Sequence, residues 1–159
     1  MVRAAVDDLA DQYRRACRML YAEVDRFGGP QWASGISFHL TPARLAMHIF
    51  DCLDYYFSGQ TGDQYRWGHR FGGGWWELPV DRLPDKAAVL AYGREIESRI
   101  LAELAGLDDG DLSRSCEVDP ESGATLLGHY VYAIRHTMHH HGELAALSVH
   151  HGNEGGSWE

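Results

Sequence analysis

Apolar residues recur at steps of three and four along four separate stretches of this chain, the period of helices with one buried face. No stretch shows a convincing two-residue alternation, so strands are not expected. In the first stretch, residues 2–27, Val6, Leu9, Tyr13, Ala16, Leu20 and Val24 share a face, and Gly28, Gly29 and Pro30 supply a stop. The second begins at Thr41, which can cap free amides, with Pro42 suited to the first turn and Leu40 placed to staple onto Leu45. Its face carries Leu45, His48, Ile49, Cys52, Tyr55 and Tyr56. The third runs from 85 to 105 after Pro84, with Val89, Tyr92, Ile96, Ile100 and Leu104 in line. Gly106 ends it, and Leu107 can fold back on Leu101 as in a Schellman motif. The fourth, 125–149, is apolar on two sides: Leu127, Val131, Ile134 and Met138 on one, Leu126, Ala133, Leu144 and Leu147 on the other. A helix apolar over so wide an arc belongs at the centre of a bundle.

These segments predict an all-α chain, an up-down four-helix bundle forming a single domain over 1–150 with a loosely ordered tail at 151–159. Two connections, 60–84 and 107–124, are longer than bundle loops normally are. The first interleaves five glycines with Tyr65, Trp67, Phe71, Trp75 and Trp76, which supply apolar area for packing over something. Net charge is −9 with acidic residues spread along the chain, which argues against a nucleic-acid or anionic-membrane surface. The first residues lead into Asp7, Asp8 and Asp11, so no signal peptide is expected, and no apolar run is long enough to span a bilayer. Cys17, Cys52 and Cys116 are odd in number and lack CxxC spacing, so free thiols in a reducing, cytoplasmic setting are the expectation rather than a catalytic cysteine.

One composition figure stands apart: ten residues of 159 are His. His136 and His140 are spaced i, i+4, so their side chains stack on one helical face, Cβ atoms about 5–6 Å apart. Two such imidazoles can meet one ion at roughly 2.0–2.1 Å per bond. His48, in the middle of the apolar stripe of the second helix, is the natural third ligand. Three buried imidazoles each need partners for a ring N–H and a lone pair, and one metal ion serves a nitrogen of all three. The alternative for the i, i+4 pair alone is ordinary helical packing. His139 can compete with His140 as a partner of His136, and His141 is expected to face solvent. His129 shares the ligand face seven residues earlier, either supporting the site or satisfied in the core. Glu143 follows His140 by three, placed to accept an imidazole N–H or hold a water; a fourth ligand or a surface carboxylate are the alternatives.

His48, followed by His136-Thr-Met-His-His140-His-Gly142-Glu143 in the last helix, resembles the DinB/YfiT-like superfamily: a His in helix two, then H-x3-H, a basic or polar residue, Gly, and Gln or Glu. The resemblance covers nearly the whole chain in helix order, length and His placement. It implies a bundle holding one divalent ion, often nickel or zinc, on His48, His136 and His140, and frequently a homodimer. Members include bacillithiol transferases, mycothiol-dependent maleylpyruvate isomerases and proteins classed as metal-dependent hydrolases. Related domains hold iron, in sulfoxide synthases with a second catalytic domain that 159 residues cannot contain. Here His141 replaces the Arg common before the Gly, and the Trp-rich loop matches no subfamily signature.

Three neutral nitrogen ligands leave an ion its full charge and an open position, able to activate water or a low-molecular-weight thiol against a small electrophile. A metal-dependent S-transferase or hydrolase is the leading expectation, with Trp67, Trp75, Trp76 and Tyr55 as candidate substrate-pocket walls and ordinary packing as their alternative. Arg44 and Arg135 are candidates for a substrate carboxylate, with surface solvation the plainer reading. The rivals are a non-catalytic, metal-stabilised stress or small-ligand-binding protein, and an iron-dependent redox enzyme.

Overall fold

The computed structural model describes residues 2–119, 121–156 and 158–159, and these are all-helical. The helices are α1 (Ala4–Asp25), α2 (Gly29–Trp32), α3 (Pro42–Tyr56), α4 (Lys86–Ala105) and α5 (Leu126–His150), with 3₁₀ turns at Val80–Arg82 and Asp111–Ser113. Among the described residues the only sheet-like pairing is an isolated bridge between Ser115 and Thr125. Each long helix after α1 starts on a side-chain cap: Thr41 accepts from the amide of Arg44, Asp85 from Ala88 and Thr125 from Gly128. The Gly-Gly-Pro stop after α1 does more than end it, because Gly28 opens the one-turn α2, whose buried Trp32 donates its Nε1–H to the carbonyl of Pro84 at 2.9 Å. The end of α4 departs from the Schellman expectation. Gly106 stays right-handed (φ −82°, ψ −8°), and the amides of Gly106 and Leu107 reach back to the carbonyls of Glu103 and Leu104.

Helix α1 packs on α4 and α5, and α3 packs on the same two, so α1 and α3 face each other diagonally. Residue pairings give the directions. Arg3 meets the carbonyl of Leu104 and Tyr21 meets Glu97, so α1 and α4 are antiparallel. Tyr13 meets Tyr130 and Glu23 lies beside His141, so α1 and α5 are parallel. Tyr56 meets His129 and His48 meets His140, making α3 and α5 antiparallel. Phe50 lies against Gly93 and Asp54 pairs with Arg99, making α3 and α4 parallel. The four-helix bundle read from the sequence is present, but not in the expected simple up-down order: its long helices run up, down, down, up, because the chain after α3 returns along that helix before α4 begins.

That order explains the first long connection. Parallel neighbours need a return crossing, here the length of α3, about 22 Å for its 15 residues. The chain after Tyr56 runs back along α3: Tyr65 bonds Asp51 and Asp54, the amide of Gly68 bonds Asp51, and the carbonyls of Trp75 and Leu78 reach Arg44 near the start of the helix. Its aromatic residues therefore pack as a strap across the bundle.

The core runs continuously from Val6, Leu20 and Val24 through Ile49 and Phe50 to Ile96, Ala133 and Leu144. The placement of α5 corrects one expectation. It buries the face of Tyr130, Ala133, Leu144 and Leu147, while Leu127 and Val131 stay 44% and 50% exposed, because only α1 and α3 pack against it extensively. The chain end lies against α1 and α2: Gln31 donates to the carbonyl of His151, Asn153 to Gln31, and Arg18 to Glu159. Among the described residues no helix is long and apolar enough to cross a membrane.

Candidate metal centre

His48 comes from the middle of α3, and His136 and His140 from successive turns of α5. Antiparallel packing of the two helices brings the three rings together, with centroids 5.1 Å apart for His48 and His136, 4.4 Å for His48 and His140, and 4.5 Å for His136 and His140. One potential ligand atom from each lies within 4.8 Å of the others. Nε2 of His48 and Nε2 of His140 are 3.0 Å apart. Burial, and then the neighbouring imidazoles, hold His48 down to about 3 and His136 to about 4, so both are neutral at pH 7 and each ring keeps a lone pair.

The donor set fits a divalent ion. Nδ1 of His136 is buried with no hydrogen-bond partner among the described residues, a cost that a positive centre would relieve. The outer nitrogens of the other two rings already have neighbours. Nδ1 of His140 lies 2.6 Å from Oε2 of Glu143, and Nδ1 of His48 lies 3.5 Å from Sγ of Cys52. An N–H on each Nδ1 leaves the Nε2 lone pairs of His48 and His140 facing each other. Burial pushes the Cys52 thiol well above its ordinary range, so the sulfur is a protonated neighbour rather than a nucleophile.

The remaining histidines separate cleanly. His129 is a satisfied core residue, with Nδ1 2.6 Å from Oγ of Ser122 and Nε2 2.8 Å from the carbonyl of Tyr56. His141 does not face solvent as expected. It is buried at the α1–α5 contact beside Glu23, because the side of α5 a third of a turn past His140 is covered by α1. His139 is exposed and, with His140 and Glu143, forms a second group of potential ligand atoms within 4.8 Å of one another.

Of the four aromatic candidates, Trp75 is the one against the triad, its ring 4.6 Å from that of His48. Trp76 packs on Trp75 at 5.8 Å and is 40% exposed. Trp67 and Tyr55 pack on each other at 4.9 Å, and the Tyr55 hydroxyl donates to the carbonyl of Val118. Two other rings surround His136: Tyr56 at 5.6 Å and Tyr132 at 6.4 Å. Tyr132 was legible as a neighbour, since it lies one turn before His136 on the same face. Arg44 is no surface residue. It is fully buried, donates to the carbonyls of Trp75 and Leu78, and places its guanidinium 3.8 Å from the centre of the Phe38 ring. It thereby seats the strap that presents Trp75 to His48. Arg135 is exposed, and with Tyr132, His136 and His139 it lines a cavity of about 250 Å³ that reaches the triad at His136.

An all-helical bundle whose facing helices bring three imidazoles together defines a class of small protein with a site suited to one metal ion. The family model of the DinB superfamily matches residues 12–144, and the chain belongs to the DinB superfamily. No curated protein and no solved structure matches it.

Proposed function

We propose that this chain is a divalent-metal-dependent enzyme, an S-transferase or hydrolase, whose ion, zinc or nickel, is held by His48, His136 and His140. The observation that carries the reading is the approach of Nε2 of His48 to Nε2 of His140 at 3.0 Å, with a potential ligand atom of His136 within 4.8 Å of both rings' donors. When bound, such an ion lowers the pKa of a coordinated thiol or water and so supplies a nucleophile at neutral pH. Glu143 accepts the Nδ1–H of His140 and fixes which nitrogen of that ring faces His48. Trp75 covers His48 and keeps water from that side. The cavity at Tyr132, Arg135 and His139 is the approach for a small electrophilic substrate, with Arg135 placed to receive an anionic group and Tyr132 offering a flat apolar wall. Trp76 extends the wall at Trp75, whereas Tyr55 and Trp67 act through Tyr56 by packing. The half-exposed Leu127 and Val131 on α5 support a homodimer.

The test is metal analysis of untagged protein by X-ray absorption edge, followed by addition of a low-molecular-weight thiol to the cobalt(II)-substituted form. One ion per chain is expected, absent from His48→Ala and from His140→Ala, with a change in the cobalt spectrum when thiol is added. Unchanged metal content in either variant overturns the ligand assignment. An iron edge favours the redox reading, and a cobalt spectrum indifferent to thiol and to small anions favours a purely structural ion.

A further inference from the structure

The three-His centre has no use for His139, yet His139, His140 and Glu143 form a second set of ligand atoms within 4.8 Å of one another. The two sets share His140 and differ in exposure. His48, His136 and His140 are partly buried, whereas His139 is exposed on the rim of the cavity that reaches His136. The shared ring has one nitrogen toward each set: Nε2 toward His48 at 3.0 Å and Nδ1 toward Glu143 at 2.6 Å. Its ring meets that of His139 edge to face, with centroids 4.9 Å apart.

From this arrangement we propose that His139, Glu143 and Nδ1 of His140 form an outer, transient coordination site through which a divalent metal ion enters and leaves the three-His centre. The proposal rests on the assignment of that centre as the resting site. A neutral imidazole has one lone pair and one N–H, so His140 serves one ion at a time and the two sites are alternatives. With the ion outside, Nδ1 of His140 is a ligand and its Nε2–H donates to the Nε2 lone pair of His48. With the ion inside, Nε2 is the ligand and the Nδ1–H donates to Glu143. The ring proton changes nitrogen by exchange with solvent, so charge and proton count balance between the two states. The outer site supplies donors as the ion sheds its waters, a step that otherwise has to occur wholly inside a partly buried pocket. Glu143 adds a negative charge where the cation arrives, and the net charge of −9 favours that arrival despite Arg135 at the same opening.

A group that acts only on the path changes both rates and leaves the equilibrium alone. Apo-protein is mixed with cobalt(II) chloride in stopped flow, the cobalt absorption is followed, and extraction of the loaded protein by EDTA is timed separately. His139→Ala is expected to slow loading and extraction by the same factor, about ten-fold, which corresponds to about 1.4 kcal/mol on the shared barrier. The cobalt spectrum, the one-ion stoichiometry and the dissociation constant stay as in the unaltered protein. His150→Ala, which removes an exposed imidazole from the end of the same helix, is expected to change neither rate. Unchanged rates in His139→Ala, equal slowing in His150→Ala, or a weakened dissociation constant with an altered spectrum would each overturn the proposal, the last by making His139 a resting ligand. Circular dichroism of both variants separates these results from loss of fold. Failure of the unaltered protein to bind cobalt at all would instead refute the three-His assignment.

Discussion

Oε2 of Glu143 lies 2.6 Å from Nδ1 of His140, on the side of the ring opposite the one that meets His48. Carboxylate and imidazole are three residues apart on α5, so a single helix holds them in register with no help from the rest of the fold. A carboxylate in that position fixes the tautomer and raises the basicity of the opposite nitrogen. Glu143→Ala is therefore expected to weaken divalent-metal binding by about 10–100-fold, whereas Glu143→Gln, which keeps an acceptor, loses less. Competition titration against a chelator measures both; equal affinity in Glu143→Ala would show the contact to be incidental.

Acid should destabilise the metal-free protein over a defined range. Burial holds His48 near 3 and His136 near 4 in the folded chain, below the ordinary 6.5. Below pH 6.5 the unfolded chain takes up protons at both residues that the folded chain refuses, so stability falls as pH falls. The slope is about 1.4 kcal/mol per pH unit for each residue, ending near pH 4 for His136 and pH 3 for His48. Above 6.5 neither contributes a slope. Urea unfolding of apo-protein between pH 4 and 8, compared with His48→Leu, checks this: the variant should lose part of the acid sensitivity.

Arg44 predicts a coupling between stability and the wall of the site. Arg44→Ala leaves the carbonyls of Trp75 and Leu78 without their buried donors and is expected to cost about 2–4 kcal/mol. Since Trp75 is held over His48 through this contact, Trp75 becomes more accessible as well. Urea denaturation reads the first effect and iodide quenching of tryptophan fluorescence the second; a stability loss with no change in quenching would mean the strap stays seated without Arg44.

At Gly93 the ring of Phe50 on α3 presses directly against the backbone of α4. A Cβ there would sit 2.4 Å from Cζ of Phe50, which is fully buried. Gly93→Ala raises helix propensity by about 1 kcal/mol, but the overlap with an immobile ring outweighs it, for a net loss of about 1–3 kcal/mol. Adding Phe50→Leu should recover part of the loss in thermal unfolding, and no recovery would place the strain elsewhere.

Much of the bundle was legible because its determinants are local. The apolar periodicity, with the cap at Thr41, located the long helices within a residue or two, and the structure adds caps at Asp85 and Thr125. The same periodicity put His48 on an apolar stripe and stacked His136, His140 and Glu143 on one face. What misled was exposure. His141 read as solvent-facing and Arg44 as solvated, because polar side chains carry no local sign of the element that will cover them. Leu127 and Val131 read as central for the opposite reason.

By itself the sequence determined the four long helices, roughly where they start, and which residues share a face, since backbone hydrogen bonding and side-chain period depend only on near neighbours. Only the tertiary structure decided that α3 runs parallel to α4 and antiparallel to α5. That choice sends the aromatic strap back along α3, sets Trp75 on His48, turns His141 toward α1, and brings His48 to the His136–His140 pair. The physical reason is that such contacts join residues far apart in the chain, so they form only when whole faces bury one another.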